Sequence, residues 1–249
     1  MTRRLRRCES IPLNRPTVAI GIDPSLIGTG LAVVNAAGET EYLGGWTNTR
    51  SIRARCPQHL GYYELEAPTW SGRLHRILFI VDWITKTIER WACSGYDVVV
   101  AVEGYAYSAQ SVRATDLHEL GGLIKSTLWE RGLPFRIYNP TVVKMAWTGK
   151  GNAKKPDMIA AAEAHLGVNL RDYGIPVETA GNLADAACIA HLLRAEMDLK
   201  AGRVGPLDVP PTVAKVLEQV STADPEPLVR RAFEARDEFT GPDGICPGA

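Results

Sequence analysis

A chain of 249 residues has the length for one ordinary core plus appendages, since single cores grow to about 250 residues before chains divide. With 45% hydrophobic and 22% charged residues its composition is globular, which excludes collagen-like, coiled-coil and wholly disordered chains. The 28 basic and 28 acidic side chains cancel, so a nucleic-acid surface, if there is one, must be local. No window offers the roughly 18 apolar residues of a membrane span, and the start at Met1 lacks an apolar signal segment, so a soluble, cytoplasmic protein is expected. Five widely spread cysteines without a C-x-x-C pair predict reduced thiols rather than a disulfide framework. Two C-x-x-H pairs, Cys56/His59 and Cys188/His191, have zinc-ligand residue types. With nothing to close such a site, the favoured reading is a loop cysteine and a helix-packing cysteine.

Residues 1–16 contain Arg3, Arg4, Arg6, Arg7 and Arg15 and read as a basic N-terminal arm able to touch phosphate. Thr17-Val-Ala-Ile-Gly-Ile-Asp23 is an apolar, β-branched run ending in an acid before Pro24, as expected of a buried central strand. Strands are predicted over 30–35 and 41–46 with a turn at Ala37-Gly38. The stretch 47–70 has no clear periodicity but carries Arg50, Arg53 and Arg55, and reads as a basic insertion or long loop. Ser71 is the expected N-cap of a helix whose apolar positions are Leu74, Ile77, Leu78, Val81, Ile84, Ile88 and Trp91, ending near Gly95. Asp97-Val-Val-Val-Ala-Val-Glu103 repeats the first pattern: a doubly buried strand ending in an acid.

Leu117, Leu120, Ile124 and Leu128 carry a helix across Gly121-Gly122, either as a two-fold contact or as a helix lying tightly on its own sheet. A strand over Phe135–Tyr138 is stopped by Asn139-Pro140. Lys144, Lys150, Lys154 and Lys155 then form a loop with no acid among residues 141–155. Helices are predicted around 157–165 and 182–199, the second carrying Asp185. From residue 201 the chain turns to Gly/Pro punctuation, which sets expected boundaries at a main domain of 17–200 and a C-terminal linker and helical extension of 201–249. In that extension Val213, Val216, Leu217 and Val220 form an apolar stripe.

The expected fold is α/β: a mixed five-stranded sheet flanked by helices, in the order β-β-β-α-β-α-β-α-α. In such a sheet the first and fourth strands can lie adjacent and parallel, which places Asp23 beside Glu103, and a helix packed across that end adds Asp185. Three converging carboxylates repel one another unless a cation neutralises them, and hard oxygen ligands select Mg²⁺ or Mn²⁺. Such clusters hydrolyse phosphodiesters by the two-metal route.

Val18-Ala-Ile-Gly-Ile-Asp23-Pro24-Ser25 with Thr29-Gly30, then Val100-Ala-Val-Glu103, Pro140-Thr-Val-Val-Lys144, Gly149-Lys-Gly-Asn-Ala-Lys154-Lys155 and Asn182-Leu-Ala-Asp185-Ala-Ala187, resemble in order the motifs of RuvC, a family of Holliday-junction resolvases with a ribonuclease-H-like fold. The resemblance spans about residues 17–197 and implies Asp23, Glu103 and Asp185 as catalytic metal ligands. It implies Mg²⁺ as cofactor with Mn²⁺ as substitute, and Lys144 with Lys154 or Lys155 as DNA contacts. It also implies a homodimer acting on four-way junctions, with forks and flaps as further branched DNA. Where the family usually has an acid one turn before the last aspartate, this chain has Asn182, whose carbonyl oxygen can still ligate a metal. Where it usually has an aromatic wedge, this chain has Ala106 between Tyr105 and Tyr107, which are therefore DNA-binding candidates.

The lysines 144, 150, 154 and 155 make a local charge of +4 and, with Gly149 and Gly151 allowing close backbone approach, read as a phosphate-binding surface. No segment carries a base-reading motif, so phosphates and shape should dominate affinity. The arginine excess and the added arm and tail point to a phage-encoded relative from a GC-rich host. Two other readings remain open on the residues: an actin-like ATPase or kinase using 21–30 as a phosphate loop, and a catalytically silent DNA-binding domain.

Overall fold

The computed structural model describes residues 15–47, 60–64, 72–104, 112–170, 175 and 177–223. The strands are β1 (Thr17–Asp23), β2 (Gly30–Val34), β3 (Thr40–Thr47), β4 (Leu60–Glu64), β5 (Asp97–Glu103) and β6 (Phe135–Tyr138). They form one mixed sheet in the order β4-β3-β2-β1-β5-β6. β1 runs antiparallel to β2 and parallel to β5, with Ile20 opposite Val100 and Ile22 opposite Val102. The five expected strands all form. The sixth, β4, pairs parallel with β3 inside the stretch read as a long loop. Five residues with a glycine among them are too few to display a period of two, so only the pairing reveals the strand.

The helices are α1 (Arg73–Cys93), α2 (Val112–Glu130), α3 (Pro140–Thr148), α4 (Lys155–Leu166), α5 (Val177–Lys200) and α6 (Pro211–Ala223). Alternation along the strands sorts the interior into two layers. Val18, Ile20, Ile22, Leu31, Val33, Val98, Val100 and Val102 face α1 and α2, while Ala19, Ala32, Val34, Val99 and Ala101 face α5 and, behind it, α3, α4 and α6. On α1 the buried stripe is Ile77, Ile80, Trp83, Ile84 and Ile88. Leu74 and Leu78, expected on it, are 53% and 49% exposed, and the residue before the helix is Gly72 rather than Ser71, which lies outside the described residues. Leu120, Ile124 and Leu128 of α2 pack on the chain's own sheet.

The lysine-rich stretch is not one loop. Asn139 accepts the Thr141 N–H at 2.9 Å and Pro140 occupies the first helical turn, so the pair that stops β6 also starts α3, which the sequence reading missed. α3 ends at Gly149, whose φ of 71° favours glycine. Lys144 therefore lies on a helix. Lys154 caps α4, its N–H held by Asp157 at 3.0 Å, and Lys155 is the first helical residue. α6 lays Val213, Val216 and Leu217 into the cluster that contains Val143, Ala146 and Leu193, and Thr212 donates its hydroxyl to the Ala146 carbonyl at 2.7 Å.

α5 is buried on every side from Thr179 to Ala190, a pattern that only a helix between two layers can adopt. Its contact with the sheet is backbone on backbone. A Cβ added at Gly21 would lie 2.3 Å from the Ala186 carbonyl oxygen and 2.4 Å from the Ala190 nitrogen, and one at Gly30 would lie 2.2 Å from the Asn182 carbonyl oxygen. The far end of α5 is tied by a buried ionic group: Glu196 accepts from the Tyr138 hydroxyl and from Lys200, and its carboxylate lies 3.4 Å from Arg136. Of the C-x-x-H pairs, Cys56/His59 lies outside the described residues. Cys188 donates to the Val143 carbonyl at 3.2 Å, and His191 shares a 2.9 Å hydrogen bond with Thr40 against the rings of Trp147 and His165. Each is already engaged in packing.

Two outcomes follow from this packing. Gly21→Ala forces α5 off the sheet and costs about 3 kcal/mol or more in urea unfolding, whereas Gly122→Ala, with open space around the new methyl, is neutral or stabilising by up to about 1 kcal/mol. Burial, then the neighbouring His165, lowers the His191 pKa to about 4 from 6.5. A depressed histidine pKa means that the unfolded chain takes up a proton that the folded chain refuses, so this contribution is complete above about pH 6.5 and is lost as pH falls towards 4. Between about pH 7 and pH 5 the wild type should lose about 2 kcal/mol more than His191→Gln, read from paired unfolding curves.

Candidate active site

β1 and β5 are parallel neighbours in register, so the step beyond Ile22 and Val102 sets Asp23 beside Glu103. Both fall on the α5 face by alternation, continuing Ala19 and Gly21 in β1 and Val99 and Ala101 in β5. Because Gly21 and Gly30 bring α5 onto β1 and β2 at residues 182–190, Asp185 is delivered to the same end of the sheet. Asp23 and Asp185 are buried, and Glu103 is partly so. Burial, reinforced by the charges of Glu103 and Asp185, pushes the Asp23 carboxyl well above the ordinary carboxylate range, and Asp23 shares a hydrogen bond with Glu103. Burial and then Glu103 push Asp185 up to about 7. Glu103 is raised as well, chiefly by burial, with the Asp23 hydrogen bond, Lys144 and Lys155 acting the other way.

The expected lysines divide. Lys155 is within Coulombic reach of all three carboxylates, and Lys144 of Glu103 and Asp185. Lys150 and Lys154 are exposed in and after the turn that follows α3. The absence of acids within 141–155 did not leave Lys155 unbalanced: its ammonium lies 2.5 Å from Glu178 of α5. Tyr105 and Tyr107 lie outside the described residues. Asn182 stands one helical turn before Asp185, where its Nδ2 donates to the Gly28 carbonyl and its Oδ1 accepts from Lys155 at 3.3 Å. Sequence reasoning missed Glu178 and Gly181. Their signal was present in the spacing 178, 181, 182, 185, which is one face of a helix.

The donor set suits a divalent cation. The Asp185 Oδ1 is buried and has no hydrogen-bond partner among the described residues, an expensive state for a carboxylate oxygen unless a cation meets it. Excess negative charge in one buried place, all from hard oxygen donors, is the chemistry that Mg²⁺ or Mn²⁺ complements. Among the described residues no three His, Cys, Asp or Glu side chains stand as a finished ligand set; in this arrangement Asp23 and Glu103 lean on each other.

A mixed sheet whose two adjacent parallel strands end in acids, with a third acid on the helix laid across them, is the arrangement that the RuvC resemblance implies for a ribonuclease-H-like fold. The family model "Crossover junction endodeoxyribonuclease RuvC" matches residues 66–191. The RuvC protein of Corynebacterium glutamicum is 30% identical over 184 residues, covering 73% of this chain and 72% of its own. That of Mycobacterium tuberculosis is 25% identical over 205 residues, covering 82% and 89%. The solved Thermus thermophilus RuvC structure aligns with a TM-score of 0.48 at 23% identity, over 72% of this chain and 96% of that one. On the sequence matches, the chain belongs to the RuvC family of crossover junction endodeoxyribonucleases.

Proposed function

We propose that this chain is a structure-selective DNA endonuclease that hydrolyses phosphodiester bonds at four-way junctions, with Asp23, Glu103 and Asp185 holding Mg²⁺, or Mn²⁺ in its place. The observation that carries the reading is the convergence of these three acids at one end of the sheet in a member of the RuvC family. A divalent ion bound there supplies Lewis-acid charge and a water acidified enough to attack phosphorus. Asp23 and Glu103, on strand ends, would hold the ion, and Asp185 brings an oxygen with no hydrogen-bond partner among the described residues. Lys144 and Lys155 set positive charge at the cleft, while Lys150 and Lys154 extend it outward along the turn. In this reading the partner is a branched DNA, and a homodimer presents two such sites to the two strands that must be nicked symmetrically.

The loop of residues 24–29 does not favour the kinase alternative. The Ser25 N–H is held by Thr29 Oγ1 at 3.2 Å and the Ile27 N–H by Ser25 Oγ at 3.4 Å. A phosphate loop needs its amide donors turned outward and unspent. Among the described residues no helix is long and apolar enough to cross a membrane.

Asp23→Asn, Glu103→Gln and Asp185→Asn should each slow cleavage of a synthetic four-way junction in Mg²⁺ by about a hundredfold or more, with gel-shift affinity for the junction retained. Near-normal cutting by any of them removes that residue from the proposed ligands. Lys144→Ala and Lys154→Ala should each lower the slope of log affinity against log salt by about one unit. Unchanged slopes across a salt series would assign those side chains to solvent.

A further inference from the structure

Four residues of α5 spaced at 178, 181, 182 and 185 share one helix face, and Lys155 lies along it. A Cβ at Gly181 would meet the Lys155 stem, with Cδ at 3.0 Å, Cγ at 3.3 Å and Cβ at 3.5 Å. The ammonium then reaches Glu178 Oε2 at 2.5 Å and Asn182 Oδ1 at 3.3 Å. An exposed lysine–glutamate pair contributes little to stability, and Glu178 is 68% exposed, so what the contact supplies is placement. The amide at 182 suits the task, because its nitrogen donates to the Gly28 carbonyl while its oxygen accepts from the ammonium. A carboxylate has no donor for the carbonyl.

We propose that Glu178, Gly181 and Asn182 form a seat that holds the Lys155 ammonium beside the carboxylate cluster, which makes Glu178 and Asn182 positioning residues and Asn182 an anchor for a lysine rather than a ligand for a metal. This rests on the nuclease reading of Asp23, Glu103 and Asp185. With the seat in place, one cation at the cleft is built into the chain and oriented before DNA arrives, to meet the anionic oxygens of the phosphate being cut. Glu178 and Asn182 touch neither substrate nor metal; they act through Lys155.

Gly181→Ala is the informative variant. The three heavy atoms nearest its new methyl, outside the helix's own backbone, all belong to the flexible lysine stem, and alanine favours a helix interior, so the melting temperature should hold or rise. Single-turnover cleavage of a fully bound four-way junction in Mg²⁺ should nevertheless fall about tenfold, and Lys155→Met should fall further. In a double-mutant cycle, Glu178→Gln should slow the wild type but add nothing to Lys155→Met. A readout independent of cleavage is Mn²⁺ titration of the DNA-free protein, followed by the ion's magnetic resonance signal. Lys155→Met removes a repelling charge and should bind Mn²⁺ about tenfold tighter, whereas Asn182→Asp should cut more slowly than the wild type.

Wild-type cleavage by Gly181→Ala, additive loss in the Glu178→Gln/Lys155→Met pair, an unchanged Mn²⁺ affinity in Lys155→Met, or faster cutting by Asn182→Asp would each overturn the seat. Asp23→Asn separates the two readings: if it is inactive while Gly181→Ala cuts normally, only the seat fails. If it cuts normally, Asp23 leaves the proposed ligand set, and the Mn²⁺ titration still judges the placement of Lys155.

Discussion

The seating of α5 on β1 and β2 is the constraint on which the rest of the structure depends. At Gly21 and Gly30 the helix backbone comes so close to the strands that no side chain fits between them. The helix pays for that proximity with small residues, Ala180, Ala184, Ala186, Ala187 and Ala190 among them, which bury little apolar area apiece but allow dense dispersion contact along the whole length. Asp185 is thus placed by main-chain geometry. Its distance from Asp23 and Glu103 does not hang on the rotamers of large side chains, as a looser helix–sheet contact would require.

The ends of β1 and β5 were legible because a doubly buried strand announces itself as an unbroken apolar run, and an acid closing such a run stands out. That the two strands would be neighbours came from topology, and the register of Ile22 with Val102 bears it out. α3 is illegible for a local reason: Asn139-Pro140 is equally good at stopping a strand and at starting a helix. β4 was too short for a period to show. The α1 stripe differs from the expected one because Leu74 and Leu78 lie near the helix start, where an apolar residue need not be buried. By residue type alone Asn182 is a weaker metal ligand than an acid. Its partners, Gly28 and Lys155, come from segments distant in sequence, and no spacing rule connects them.

The zero net charge conceals a division of charge along α5. At its N-terminal end the acids crowd together, with Lys155 and Lys144 set against them, an arrangement suited to an incoming anion and a cation together. At the other end Glu196 sits near the helix C-terminus, where the dipole disfavours an acid, and is held there by Arg136, Tyr138 and Lys200. Nearby, Arg194 bonds Asp198, which Arg203 also meets at 2.6 Å. The first group leaves a buried oxygen without a hydrogen-bond partner among the described residues. The second encloses its charges in mutual contacts and ties α5 to β6.

The sheet also partitions the interior. The cluster formed with α1 and α2 and the cluster formed with α5 share no side chain, and the strand backbones lie between them. A repacking of Ile80, Trp83 or Ile124 is therefore felt at Asp23 and Glu103 only as far as it bends a hydrogen-bonded sheet, the stiffest element available. The α1–α2 layer is in effect a chassis, open to redesign or drift in its apolar residues, whereas the α5 layer is an instrument mount in which a single added methyl at Gly21 displaces the working parts.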